Sequence, residues 1–314
     1  MRKVLLTGAT GFIGRHCLPA LLAAGFDEIH AVSTRASIDG ENEFANEATK
    51  NVRWHRANLL SGVETERLIG AVRPTHLLHL AWYAEPGKYW TSPLNEEWLR
   101  ASVRLLDAFA AHGGRRVVAA GTCAEYDWDH DGYCSESKTP LAPATLYGKC
   151  KQALHDALEA TARERGLSAA WGRIFFLYGA HEHPQRLVSS VIRALLGGDA
   201  ARCTHGEQLR DFLYVRDVAD AFVALLASDV RGAVNIASGE ALSLKFIVNQ
   251  IGEKLNRPEL VQLGAIPAPD GEPKLLAADI RRLRDEVGWK PAYTLDAGLD
   301  ASISWWRGRM DKQA

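Results

Sequence analysis

The stretch Lys3-Val4-Leu5-Leu6-Thr7-Gly8-Ala9-Thr10-Gly11-Phe12-Ile13-Gly14 decides the fold. A short apolar run, Val4–Thr7, passes directly into glycines spaced GxxGxxG, and a helix-length segment follows. Strand, glycine turn and helix in this order are the context a dinucleotide-binding turn requires. Gly8 lets the chain turn tightly, Gly11 removes a side chain where a pyrophosphate must approach, and Gly14 lets helix and strand pack closely. Thr10, Phe12 and Ile13 fill the turn between them, and free N–H groups at the helix start would hold the phosphates. The spacing is not GxGxxG, so its weight comes from its place after the first strand.

Outward from this turn, short apolar runs alternate with helix-length segments. The runs are Lys3–Thr7, Ile29–Thr34, Val52–Ala57, His76–Ala81, Arg116–Gly121 and Ser168–Phe176, and the intervening helices are expected at Gly11–Ala24, Glu64–Val72, Asn95–His112 and Leu146–Arg165. The pattern predicts an α/β fold, a Rossmann-type doubly wound parallel sheet covered on both faces. Pro19 predicts a kink or a shorter first helix, since a proline costs about 3 kcal/mol in a regular helix interior. After Tyr178-Gly179 the elements shorten and turns multiply, which suggests a smaller, partly interleaved second lobe. The expected division is a dinucleotide-binding domain over 1–173, with 211–238 packing back on it, and a substrate lobe over 174–210 and 239–314. Trp305-Trp306 are expected to pack a terminal helix on that lobe.

With 314 residues the chain can bury a large core, and 37 Lys plus Arg against 38 Asp plus Glu give no electrostatic case for nucleic acid or an anionic membrane as partner. No stretch approaches the ~20 apolar residues of a membrane span, and the first apolar run is too short for a signal peptide. Five scattered cysteines without a CxxC pair argue against a disulfide framework and against a metal site, and favour a reduced, cytoplasmic setting.

Cofactor choice should be decided at the end of the second strand. An acid there would bind a ribose 2′-hydroxyl and repel a 2′-phosphate, whereas hydroxyl side chains and an arginine accept the phosphate. The sequence reads Ser33-Thr34-Arg35, with no acid. It predicts NADP (NADPH), with Arg35 forking onto the phosphate and Ser33 or Thr34 adding hydrogen bonds.

In Leu146-Tyr147-Gly148-Lys149-Cys150-Lys151 the tyrosine and second lysine are spaced i, i+4 and share a helix face. An ammonium beside the phenol would lower its pKa and suit Tyr147 to exchange a proton with a carbonyl or alkoxide oxygen as hydride moves. The run Arg116–Gly121 delivers Thr122 at its carboxyl end, where open α/β sheets place ligands, and its hydroxyl can bond the same oxygen.

With these residues in place the chain resembles the extended short-chain dehydrogenase/reductases, the nucleotide-sugar epimerase/dehydratase family. The resemblance runs through Gly8/Gly11/Gly14, Asn58-Leu59-Leu60, His79-Leu80-Ala81, Thr122 with Tyr126, Tyr147 with Lys151, Arg173, Tyr178-Gly179, the stretch Gly206–Phe212, and Gly288-Trp289-Lys290-Pro291. It implies a catalytic triad of Thr122, Tyr147 and Lys151, with Asn58, Leu59, Leu80, Ala81 and Ile174 also lining the cofactor. It further implies a nucleoside-diphosphate sugar in the second lobe, near Trp82, Cys123, Ala124, Phe176, His181 and Arg210, and a homodimer. Two departures weaken the diphosphate contacts: Phe176 replaces an asparagine before the Tyr-Gly pair, and the arginine before the late Gly-Glu is missing around Pro269.

A 4,6-dehydratase needs an acid and a base just after the threonine, and here Cys123 and Ala124 stand there, with Glu125 one position late. An epimerase-reductase of the GDP-fucose type would need a cysteine and a histidine where Ala124 and Ser190 stand. The leading expectation is NADPH-dependent reduction of a nucleotide-linked 4-keto-6-deoxy sugar, because a reductase must exchange spent cofactor. An NDP-sugar C4 epimerase, a small aldehyde or ketone reductase, and a non-catalytic NADP sensor remain as alternatives.

Overall fold

The computed structural model describes residues 1–34, 51–269 and 271–312. In chain order its strands are β1 (Lys3–Thr7), β2 (Glu28–Ser33), β3 (Val52–Arg56), β4 (His76–His79), β5 (Arg116–Thr122), β6 (Ser168–Ile174), β7 (Phe176–Tyr178), β8 (Ala201–Arg202), β9 (Leu209–Tyr214), β10 (Gly232–Ile236), β11 (Ala241–Ser243), β12 (Val261–Gln262) and β13 (Leu275–Leu276). The α-helices are α1 (Gly14–Ala23), α2 (Gly62–Val72), α3 (Leu94–Ala111), α4 (Leu146–Arg165), α5 (Leu187–Gly197), α6 (Val215–Ala227), α7 (Leu244–Lys254) and α8 (Leu295–Met310).

A seven-stranded sheet runs in the order β10-β6-β5-β4-β1-β2-β3, and every pairing in it is parallel. This is the doubly wound Rossmann-type sheet that the alternating apolar runs predict. All of β5 is buried, as a central strand covered on both faces requires. Cys17, Leu18 and Leu21 of α1 and Val218, Phe222 and Leu225 of α6 pack in one core. Leu68 and Ile69 of α2, Leu105 and Phe109 of α3, and Leu154 and Leu158 of α4 pack in the other. The strand order reverses between β4 and β1, so the ends of those two strands open the crevice in which such sheets bind ligands.

Three local differences from the sequence pattern have physical causes. The helix expected from Gly11 begins at Gly14, because the Gly11 amide closes a turn on the Gly8 carbonyl at 2.9 Å. Pro19 stays inside that shortened helix. The run Ser168–Phe176 is two strands: after Ile174 the chain leaves the large sheet, and Phe176–Tyr178 pairs with β9 in a second sheet together with β11 and β13. Within 211–238, β9 thus pairs in the small sheet, and the chain returns through α6 to β10 at the edge of the large one.

The small sheet is packed by α5, α7 and α8 through Val188, Ile192, Phe212, Ile247, Leu299 and Ile303. The terminal helix spans Leu295–Met310, and Trp306 is buried with its indole donating to Ser189 Oγ at 3.1 Å. Phe12 and Ile13 of the glycine turn pack against this same cluster, so the turn joins the two bodies. A short parallel pair, β8 with β12, lies beside them. Among the described residues no helix is long and apolar enough to cross a membrane.

Candidate functional site

The glycine turn sits at the switch point. Gly8 has φ +70°, and a Cβ there would come within 2.8 Å of the Ala81 amide beyond β4. A Cβ on Gly14 would meet the Gly8 carbonyl oxygen at 2.1 Å, so helix and strand are as close as bare backbone permits. Gly11 is exposed on the rim. The first turn of α1 carries no acidic residue and no side-chain cap, so no side-chain charge there repels a phosphate from the helix start. The residues here fit a dinucleotide. Arg15 braces the loop by donating to the carbonyls of Thr10 and Gly11 and bonding the ring of His181.

Opposite the turn, a buried chain fixes the end of β4. Thr7 Oγ1 and His79 Nδ1 are 2.7 Å apart, His79 Nε2 and Ser102 Oγ are 2.8 Å apart, and Thr7 Oγ1 accepts from the Leu80 and Ala81 amides. Burial holds the His79 ring down at about 3, so it stays neutral. Ser33 ends β2 buried and Thr34 follows it exposed, while Arg35 lies outside the described residues. Asn58 is exposed and its side chain caps the Leu60 amide, whereas Leu59 is buried beneath the sheet. Ile174 stands at the end of β6 beside Thr122, its register partner.

Thr122 closes β5. Its hydroxyl accepts from the Ala124 amide at 3.2 Å and caps the single turn Cys123–Glu125. Tyr147 and Lys151 stand one turn apart on α4, whose start is tied to the site by the Tyr147 amide donating to the Trp90 carbonyl at 3.1 Å. Lys151 is 4% exposed; its Nζ donates to the Ala120 carbonyl at 2.9 Å and lies 5.9 Å from the centre of the Tyr147 ring. The three residues are therefore brought together at the carboxyl end of β5.

The protonation pattern differs from the sequence expectation. Burial pushes the Tyr147 phenol well above its ordinary value, with Tyr89 adding to the rise, while interaction with the Thr122 hydroxyl works against it. The lysine is the group that moves into the neutral range: burial lowers it to about 7. Tyr147 is thus a neutral phenol, and of the pair only Lys151 can carry charge near neutral pH.

Glu125 does not face this centre. It is wholly buried, accepts from the Thr122 amide at 2.8 Å and from Trp171 Nε1 at 3.0 Å, and pairs with Arg173 Nε at 2.7 Å. Cys123 is buried and its thiol is pushed far above its ordinary value by burial, so it is no nucleophile at neutral pH. The Ala124 carbonyl packs on Gly148, where a Cβ would come within 2.4 Å.

Of the other residues placed toward substrate by the sequence, Arg210 and Phe176 lie together, the guanidinium carbon 5.4 Å from the ring centre. Arg210 is buried and bonded to Glu272 at 2.8 Å. His181 adopts a left-handed φ of 70° and sits at the glycine loop, against Arg15 and 4.6 Å from the Trp305 ring centre. Trp82 lies directly on Lys151. Sequence reasoning did not single out Tyr89 and Trp90, which stand edge-on to Tyr147 at 4.9 and 5.8 Å. The aromatic cluster Trp82-Tyr83…Tyr89-Trp90, so soon after the fourth strand, was the signal for them.

Residues 4–237 match the model of the NAD dependent epimerase/dehydratase family. The chain belongs to this family. Among the family's curated proteins it is 26% identical to UDP-glucose 4-epimerase of Rhizobium meliloti (strain 1021), covering 96% of each chain. It is also 26% identical to UDP-glucuronic acid decarboxylase 1 of Xenopus tropicalis, over 100% of this chain and 74% of that one. Among solved structures, MoeE5 in complex with UDP-glucuronic acid and NAD is 32% identical with a TM-score of 0.81, covering 98% of this chain and 99% of that one. The UDP-glucose 4-epimerase of Thermus thermophilus, solved in complex with NAD, is 26% identical with a TM-score of 0.84 over the same shares. This epimerase/dehydratase-family enzyme thus has the Rossmann body and the C-terminal lobe that its relatives have.

Proposed function

We propose that this enzyme reduces the C4 ketone of a nucleotide-linked 4-keto-6-deoxy sugar to the alcohol, drawing on NADPH. The single observation that carries this reading is the state of Glu125. The carboxylate three residues beyond Thr122 is consumed by Arg173, Trp171 and the Thr122 amide, and Cys123 and Ala124 offer no acid or base. Among the described residues directly following Thr122 no carboxylate is left free to remove a C5 proton, and simple proton and hydride exchange at an oxygen-bearing carbon needs none.

The dinucleotide supplies the hydride when bound. Thr122 donates a hydrogen bond to the ketone oxygen, and Tyr147 passes its phenolic proton to that oxygen as it gains negative charge. Lys151, close to the phenol, steadies the charge left on Tyr147 Oη and reaches toward the nicotinamide ribose. Gly8, Thr10, Gly11, Phe12, Ile13 and Gly14 carry the diphosphate on bare backbone. Preference for NADPH is supported by Ser33 and Thr34, hydroxyl residues where an acid would repel the 2′-phosphate. Relatives solved with UDP-sugars and NAD support a nucleotide sugar and a nicotinamide dinucleotide in this chain too. Arg210, Phe176 and His181 are read as contacts of the nucleotide-sugar side, and the homodimer and cytoplasmic setting belong to the same reading.

A C4 epimerase is the second reading, favoured by the epimerase relatives. One experiment separates the two: NADPH oxidation with dTDP-, GDP-, CDP- and UDP-linked 4-keto-6-deoxy sugars, with product stereochemistry read by NMR. Stoichiometric NADPH loss supports the reductase. Isomerisation of an NDP-sugar without net NADPH loss overturns it in favour of the epimerase. In the same assay, Arg35→Ala should erase the preference for NADPH over NADH.

A further inference from the structure

We propose that Trp82 is a positioning residue for Lys151: its indole face, clamped by Asn95, holds the lysine ammonium in place and in its charged form beside Tyr147. The inference rests on the catalytic reading of Tyr147 and Lys151 given above.

The lysine needs such a partner because its surroundings disfavour a charge. The Lys151 side chain is almost entirely buried, and its close contacts among the described residues are the Ala120 carbonyl at 2.9 Å, the Trp82 ring centre at 3.9 Å and the Tyr147 ring centre at 5.9 Å. Of the titratable groups facing it, His79 from β4 is neutral, Tyr147 from α4 is a neutral phenol, and Glu125 from the turn after β5 favours the ammonium only from a distance while bonded to Arg173. No carboxylate bonds the ammonium directly among the described residues. Among aromatic side chains an indole is the best partner for a desolvated cation, because its ring face presents negative charge density.

Trp82 is itself held to one orientation. Its Nε1 donates to Asn95 Oδ1 at 2.9 Å, and the Asn95 amide donates to the Tyr89 and Ser92 carbonyls at 2.6 and 2.9 Å. Asn95 is fully buried in the first turn of α3, and Trp98, one turn on, flanks Trp82 at 6.4 Å between ring centres. The segment that carries Tyr89 and Trp90 to Tyr147 is therefore the same one that fixes the indole under Lys151. A leucine at 82 would leave the ammonium with one carbonyl and only the more distant Tyr147 ring, 5.9 Å away.

Losing the indole disfavours the ammonium, so Lys151 gives up its proton at lower pH, and the high-pH fall of kcat/KM moves down. For Trp82→Leu the expected displacement is about one pH unit, a tenfold change in the protonation constant, with a smaller one for Trp82→Phe. A second readout needs neither cofactor nor turnover. The Trp82 indole N–H signal, assigned by its loss in Trp82→Phe, should shift with pH as Lys151 titrates, and Lys151→Met should abolish that shift. A Trp82→Leu profile that falls where the wild type falls, or an indole signal indifferent to Lys151, overturns the proposal. If Trp82→Leu does not fold, Trp82→Phe and the indole titration decide it. If Tyr147→Phe and Lys151→Met both keep full turnover, the catalytic reading fails, while the indole titration still reports whether Trp82 and Lys151 are coupled.

Discussion

Arg173 Nε donates to Glu125 Oε2 at 2.7 Å, and neither side chain is more than 1% exposed. This pair turns the carboxylate three residues beyond Thr122 into scaffolding. It ties β6 to the turn after β5, and Thr122 is held at the mouth of the site by the same carboxylate through its amide. Breaking one partner of a buried ion pair strands the other charge. Glu125→Gln should therefore cost about 3–5 kcal/mol in a urea unfolding titration, while turnover per folded molecule falls far less than in variants of Tyr147.

The neutral phenol of Tyr147 is the proton source in the proposed reduction. Tyr147→Phe removes only that hydroxyl and keeps the ring that packs edge-on against Tyr89 and Trp90. Turnover should drop about 10²–10⁴-fold, the usual weight of a positioned general acid. NADPH binding, followed by its fluorescence, should hardly change, and a variant with wild-type turnover would remove Tyr147 from the chemistry.

Two glycines of the first turn, Gly11 and Gly14, should fail differently. A Cβ at Gly14 would lie 2.1 Å from the Gly8 carbonyl oxygen, which is backbone and cannot swing aside. Gly14→Ala should therefore lower the melting temperature markedly or prevent folding. At Gly11 the tightest contact of a Cβ is 3.0 Å, again to the Gly8 oxygen, and it would otherwise point into open space. Gly11→Ala should fold nearly as the wild type does and lose dinucleotide affinity instead. Thermal unfolding and a cofactor titration on both variants check the contrast.

Much of this was legible in the chain because its signals are local. The parallel sheet followed from apolar runs such as Val4–Thr7 and Arg116–Gly121, and the spacing of Tyr147 and Lys151 alone placed both on one helix face. What stayed hidden depends on distant contacts. The break at Phe175 is set by β9, some thirty-five residues on, which draws Phe176–Tyr178 out of the large sheet. The protonation states of Tyr147 and Lys151 are set by burial, which local spacing does not encode. His181 shows the same limit: its neighbour in space is Arg15, in the first helix.

Glu182 gives the fold a pH dependence of its own. It is 4% exposed, accepts from both the amide and the hydroxyl of Ser189 near the start of α5, and Ser189 in turn accepts from Trp306. Burial raises its carboxyl from 4.5 to about 7, although the bonds from Ser189 and the charge of Arg186 work against the rise. A carboxyl raised on folding binds its proton more tightly in the native state. Its contribution is complete below pH 4.5 and is lost as pH rises through about 7. Over that window this group alone should lower the unfolding free energy by roughly 3 kcal/mol, since a tenfold change in a protonation constant is worth about 1.4 kcal/mol. Glu182→Gln keeps an acceptor for Ser189 and cannot ionise. Chemical denaturation at a series of pH values from about 5 to about 8.5 should therefore show the wild type losing stability relative to the variant, with the difference levelling above about pH 8. Parallel curves for the two proteins would mean that Glu182 enters the fold already ionised, with Arg186 and the Ser189 donors outweighing its burial.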